Sequence, residues 1–314
     1  MKKVLNFVNM DANESIFFAE ELEHVKSRSY DVQYPELLAR KLFPVSNEVN
    51  SGAESMAYET YDHLGEAKLI HSYANDLPSV EVSGMKTTRQ IYSTGISFGY
   101  SIQDIRNAKM AGKPLSQRKA NACKRQMLVL ENKIAWLGDA ATNIPSFINN
   151  ANITAVTIAD GAAGTTTWST KTPAEIIADI SNMTTSIVDS TNGVEIPDTL
   201  LLPISQYSLI ADTPRASGTD TTILDFVLKS NAFLTQIIPV YELKAAAPSA
   251  ATYDSTDCMI AYKRDPSKLT LEIPQDIEFM NPQEKALYYE VPVHARTAGV
   301  VIYYPKSIAQ GNGI

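Results

Sequence analysis

The chain has 314 residues, a formal net charge of -8 and an estimated pI of 5.1. That length suits two cores better than one, and an acidic balance excludes a general affinity for nucleic acid through bulk charge. A hydrophobic fraction of 44% excludes wholesale disorder, and two cysteines, Cys123 and Cys258, argue against a disulfide framework and for a reducing compartment.

The start, MKKVLNFVNM, holds an apolar run shorter than a secretory core, and no run approaches the ~20 residues of a membrane span. The expectation is a soluble protein made in a cytoplasm. Residues 14–28 read as a short amphipathic helix with Ile16, Phe17, Leu22 and Val25 on its apolar side. The following YDVQYPELLARKLFPVS is broken by Pro35 and Pro44. It reads as an extended arm with a small helical turn, outside any core.

Period-2 alternation marks Met56–Tyr61 and again Tyr92–Ile102, with Gly65, Pro78 and Gly84 between them. The stretch reads as a long, mostly polar, two-stranded excursion formed by these two alternating runs. An isolated hairpin is marginally stable in water. A surface for it is therefore expected on another subunit.

A long helix follows, 114–137, opened by Pro114 and closed by Gly138. At 1.5 Å per residue it spans roughly 35 Å. Ser116, Ala120, Cys123, Met127, Leu130, Ile134 and Leu137 are spaced 4-3-4-3-4-3 and form one straight stripe. Lys113, Arg118, Lys119, Lys124, Arg125 and Lys133 face a single acid, Glu131. Two readings stand for this basic side: a solvated face, or a contact with nucleic acid or acidic neighbours. Arg118, Arg125 and Asn132, seven apart and off the stripe, are placed to act together.

Residues 154–256 read as a separate α/β domain around a mixed sheet. Thr172-Pro173-Ala174-Glu175 is a helix start with a capping box, Ile176, Ile177, Ile180, Ile187 and Val188 supply its apolar face, and Asn192-Gly193 ends it. TLLLP and QIIPVYEL read as strands, with Ser205 and Thr222 as caps of two short helices. Ten acids between Asp160 and Glu242 oppose only Lys171, Arg215 and Lys229. From Cys258 onward CMIAYK, KLTLEI, ALYYEVPVHART and GVVIYY read as strands returning to the first core.

Most candidate chemistry fails on context. Gly95-Ile96-Ser97-Phe98-Gly99 matches G-x-S-x-G and His294 lies downstream, but a nucleophile elbow needs a strand ending in a sharp turn. Here the alternation runs through Ser97. Ser116-x-x-Lys119 lacks the companion triplets of a serine acyl-enzyme. His24, His63, His71 and His294 are scattered, so neither a metal site nor any cofactor is expected.

The stretches YPELLARKLFPVSNEVNSGAESMAYETYD, GEAKLIHSYANDLPSVEV, GYSIQDIRNAKMAGKPLSQRKANACKRQMLVLENKIAWLGD and ALYYEVPVHARTAGVVIYYPKSI together resemble major capsid proteins of tailed bacteriophages with the Hong Kong 97-type fold. The similarity is weakest across 154–256. The resemblance implies an α+β fold: an N-arm at 1–45, an E-loop at 46–102, a P-domain at 103–150 with spine helix 114–137, an A-domain at 151–256, and return strands at 257–314. It implies a shell of pentamers and hexamers enclosing double-stranded DNA, with the E-loop lying on a neighbouring subunit. Portal, scaffold or decoration proteins are the implied partners, in a virion assembled in the host bacterial cytoplasm, with no membrane and no catalysis. With the arm beginning almost at Met1, any scaffold is expected to be a separate protein. Arg118, Lys119, Lys124 and Arg125 are the candidate assembly or DNA-facing contacts, and Lys68 and Lys86 the candidate E-loop contacts. The alternatives are an encapsulin-like compartment shell, a tail or head-completion protein, and a serine hydrolase using Ser97.

Overall fold

The computed structural model describes residues 35–69, 77–111, 115–148, 150–244 and 256–314. The expected helix at 14–28 lies outside them. The chain divides into two units, Met1–Glu36 and Leu37–Ile314, and every element below belongs to the second. In chain order these are α1 (Ala39–Leu42), β1 (Val45–Ser46), β2 (Ser55–Leu64), β3 (Glu81–Gln90), β4 (Tyr92–Ser101), α2 (Ile102–Ala111), α3 (Leu115–Leu137) and β5 (Thr154–Thr157). There follow α4 (Pro173–Ser190), β6 (Thr199–Pro203), α5 (Ile204–Asp212), α6 (Ile223–Ser230), β7 (Gln236–Val240), β8 (Cys258–Tyr262) and β9 (Leu269–Glu272). The last are β10 (Gln275–Phe279), β11 (Gln283–Lys285), β12 (Tyr288–Thr297), β13 (Gly299–Ile302) and β14 (Ile308–Asn312).

A five-stranded mixed sheet in the order β5-β14-β8-β6-β7 divides two cores. Leu200, Leu202, Met259, Ala261 and Ala309 point to one side, against Ile176, Ile180, Met183 and Ile187 of α4 and against α5 and α6. Leu201, Val240, Ile260, Tyr262 and Ile308 point to the other. Both faces are covered, which is why TLLLP and CMIAY carry no polar alternation. The expected α/β domain is thus completed by β8 and β14 from the end of the chain.

The second core is aromatic at its centre. Phe43 is fully buried, with ring centroids 5.0 Å from Trp136, 4.7 Å from Phe147 and 6.5 Å from Tyr262. Leu42 and Ala39 join it, and the Tyr262 hydroxyl donates to the Leu42 carbonyl at 3.0 Å. The arm at 39–43 is therefore a core element, contrary to the sequence reading: two prolines break a helix, but they do not keep the apolar residues between them in water. Gly138 holds α3 to the following turn at φ 64°, where a Cβ would lie 2.3 Å from the Ile144 carbonyl oxygen.

A third core lies where Cys123 and Met127 of α3 meet Val293 and Ala295 of β12, with Phe98 and Ile277 packed beside them. The seam of the long helix does face the returning strands. Its line differs from the expected stripe, because Leu130 is 39% exposed whereas Asn132, Ala135 and Trp136 are buried. Cys123, Met127 and Ile134 of the expected stripe are buried and Glu131 is half-buried, and near the C-terminal end α1 and the aromatic core cover further sides of the helix.

The two-stranded excursion exists, but with other partners than expected. β2 pairs with β3 over ten residues each, from Ser55↔Gln90 to Leu64↔Glu81. β4 instead pairs with β12 in the sheet that packs on α3. Period 2 identifies a strand and carries no information about its partner. Two caps divide likewise. The Thr222 hydroxyl accepts from the Asp225 N–H at 3.2 Å, whereas Ser205 lies inside α5 and donates to Asp257 at 3.1 Å.

Candidate functional site

The four basic candidates on α3 do different things. Arg118 and Lys124 are exposed, while Lys119 and Arg125 are half-buried. Lys119 Nζ donates to the Gly99 carbonyl at 2.7 Å and stands 4.6 Å from the Tyr100 ring centroid. It ties α3 to strand β4 through a carbonyl there. Asn132 leaves the proposed group with Arg118 and Arg125 altogether. It is buried, accepts from the Ala39 N–H at 3.1 Å and donates to Glu242 Oε1 at 2.6 Å.

Beside it lies a second clasp. Arg40 Nε and Nη2 donate to the two oxygens of Glu131 at 2.6 and 2.7 Å, and Nη2 also reaches Asp276 Oδ1 at 2.7 Å. This fork joins α1, α3 and β10. Its hydrogen bond to Glu131, then that to Asp276, raise the Arg40 pKa above its ordinary value. The Arg40 guanidinium first, and Lys124 more weakly through space, hold the Asp276 carboxyl below its usual range.

The base of the β2–β3 ribbon is pinned to the body by Tyr58, whose ring meets Tyr303 edge-on at 5.0 Å. Met56, Tyr58 and Thr60, with Thr87 and Arg89 across the ladder, form the half-buried face. Beyond Thr60 both faces are exposed, with Tyr61, Leu64, Val82 and Met85 among the exposed side chains. Lys86 sits opposite Glu59 on β3 and Lys68 follows β2; both are exposed.

A family model for the major capsid protein matches residues 65–314. The chain belongs to that family. Its fold is the α+β Hong Kong 97 type, and its function is that of a capsid shell subunit, a structural role. No curated protein sequence matches the chain. Among solved structures, the capsid of Myoviridae phage XM1 is similar at 16% identity over 96% of this chain and 99% of that one, with a TM-score of 0.80. Mycobacterium phage Ogopogo gives 12% identity over 95% and 99%, with a TM-score of 0.62. A virus-like particle from Pyrococcus furiosus gives 14% over 88% and 91%, with a TM-score of 0.53.

Other motifs of the capsid protein find structural explanations. Ser97 lies in the middle of β4 opposite Pro292, and its hydroxyl donates to Glu290 Oε1 at 2.6 Å. Glu290 is held in turn by Lys285, which, ahead of Ser97, keeps its carboxyl below the usual range. No elbow forms, and among the described residues no hydrogen bond joins Ser97 to His294. No group of three His, Cys, Asp or Glu that could hold a metal occurs among the described residues, and none of their helices is long and apolar enough to cross a membrane.

One polar cluster escaped the sequence reading. Lys171, one of the three bases of the acidic stretch, is buried. Its Nζ donates to Asp179 Oδ2 at 2.6 Å and to the Ala159 carbonyl at 2.7 Å, while Trp168 Nε1 donates to the same carboxylate oxygen at 3.0 Å. Both ionic side chains are buried. The signal was the spacing: Asp179 stands three residues after Ile176 and four before Met183, on the apolar face of α4.

Proposed function

We propose that this capsid protein self-assembles into an icosahedral head of pentamers and hexamers that encloses phage double-stranded DNA, assembled in the host bacterial cytoplasm and without enzymatic activity. The observation that carries this reading is the β2–β3 ribbon. Among the described residues it has two strands and no third, and beyond Thr60 it exposes Leu64, Val82 and Met85 to water. Such a ribbon gains burial by lying on a second copy, and many such contacts repeated by symmetry close a shell.

In this reading residues 1–45 are the N-arm, anchored through Phe43. The E-loop is 46–102, with 55–90 as its projecting part and Lys68 and Lys86 at its contacts. Residues 103–150 form the P-domain with β4 and the returning strands, and 151–256 form the A-domain, completed by β8 and β14, around the fivefold and sixfold axes. Arg118, Lys119, Lys124 and Arg125 meet packaged DNA or acidic neighbours. Portal, scaffold or decoration proteins are further partners.

Electron microscopy of the purified full chain tests this. Closed shells whose DNA survives nuclease are expected; monomers alone under all salt conditions would refute it. The likeness to a virus-like particle favours a second reading, an encapsulin-like compartment, in which the particles would hold a cargo protein and no protected DNA.

A further inference from the structure

Two grooves of about 430 Å³ each flank the ribbon base, and Tyr58, Thr60 and Tyr303 line both. Their charges are opposite. Among the described residues, one carries the carboxylates of Glu48 and Glu59 and no cation. The other carries the guanidinium of Arg89, with Thr87, Asn150 and Asn152, and no carboxylate among the described residues. Arg89 also lines an adjoining cavity of about 130 Å³ beside Thr142 and Asn143. Its Nε is sealed from solvent and has no hydrogen-bond acceptor among the described residues.

A guanidinium stays charged at any working pH, and its fork of donors matches a carboxylate two bonds at a time. Groups so desolvated are normally satisfied. The Arg40 fork takes Glu131 and Asp276, whereas the Nε of Arg296, like that of Arg89, has no acceptor among the described residues. What sets Arg89 apart is its place in a groove that holds no carboxylate among the described residues, so an acid from another chain can reach the part of its guanidinium that lines the groove. The chain is itself rich in carboxylates, with 35 acidic residues against 27 basic ones, and its family builds shells from copies of one chain.

We infer that the Arg89 groove receives an aspartate or glutamate side chain from a second copy of this chain, so that each ribbon base is completed by a neighbour's acid. The inference rests on the shell reading above. It gives the ribbon base a specific electrostatic lock in addition to apolar burial along the ribbon. The acidic groove opposite makes the lock directional, since a segment suited to one side is repelled by the other.

The test uses the full chain in wild-type, Arg89→Gln and Arg89→Lys forms. Arg89→Gln is expected to raise the protein concentration needed for assembly about tenfold or more, the usual scale for losing a charge-assisted contact, while the unassembled chain keeps its circular dichroism. Carbodiimide treatment of Arg89→Lys shells should join the introduced amine to a carboxylate of another chain. Mass spectrometry of mixed isotope-labelled shells would identify the interchain peptide pair. Wild type that never assembles would overturn the shell reading itself. Wild-type and Arg89→Gln shells forming at equal concentration would overturn the groove alone. So would intrachain links only, or normal shells that lose only their DNA.

Discussion

Phe43→Ala separates two accounts of the arm. If residues 30–46 were an arm outside the core, truncating one ring would cost almost nothing. The structure places that ring at full burial among Trp136, Phe147 and Tyr262, at centroid distances of 4.7 to 6.5 Å. Removing a fully buried phenylalanine loses the transfer energy of its atoms and leaves a cavity, about 3–5 kcal/mol together. The surrounding walls are three large rings, two β-strands and the end of α3, which cannot all collapse inward, so ~4 kcal/mol is expected. That is a large share of a typical stability of about 5–15 kcal/mol. Urea unfolding of the unassembled full chain reads it out, with Trp136 as the local fluorophore and Trp168→Phe to silence the chain's other tryptophan. With a slope of about 2.5 kcal/mol per M, the midpoint should fall by roughly 1.6 M. A loss under ~1 kcal/mol would refute the placement of Phe43 as the plug of this core.

Lys171→Met strands the buried Asp179 carboxylate and should cost about 3–5 kcal/mol in thermal or urea unfolding, while Lys171→Met/Asp179→Leu should recover most of it. The Arg40 clasp has a definite pH sign. The folded Asp276 carboxyl is held below its ordinary value, so the clasp's contribution is present above the unfolded pKa of about 4 and is lost as pH falls through the lower folded value. Denaturation of wild type and Arg40→Ala from about pH 2 to 6 should therefore show a shallower acid-side loss in the variant. Arg118→Glu with Arg125→Glu should leave the circular dichroism of the unassembled chain unchanged and reduce shell yield in sedimentation. Loss of the fold instead would place those two side chains in its interior.

The legible parts of the fold are those that local chemistry dictates. Thr222 and the Thr172–Glu175 segment mark helix starts: the Glu175 carboxylate accepts from the Thr172 N–H at 2.8 Å and from its hydroxyl at 2.9 Å. TLLLP and CMIAY are apolar throughout because both of their faces are covered. What stayed hidden depended on distant partners. β3, EVSGMKTTRQ, has polar residues on both sides, so no alternation announces it or its pairing with β2. The stripe through Leu130 assumed one packing surface along the whole helix, but α1 and the aromatic core cover other sides of its last turns. Lys171 read only as one of three bases in an acidic stretch, because its partner Asp179 hides in an apolar periodicity. Arg89 sits in β3, whose strand character was itself missed.

Residues that break local rules without an internal remedy are the informative ones. Asn132, Lys171 and Arg40 are polar groups in or near cores, but each has a partner in its own chain, so each is explained by folding alone. Leu64, Val82 and Met85 on an unsupported ribbon, and the Arg89 guanidinium in a groove without a carboxylate at its base, have no such remedy among the described residues. Both costs fall in the same stretch of about 35 residues, and both are relieved by one event, the arrival of a second copy. Apolar burial on the ribbon supplies affinity without direction. The Arg89 groove and its acidic counterpart supply direction at small cost in contact area, and a shell needs that direction, because a contact that tolerates many orientations makes aggregates, whereas one fixed geometry closes.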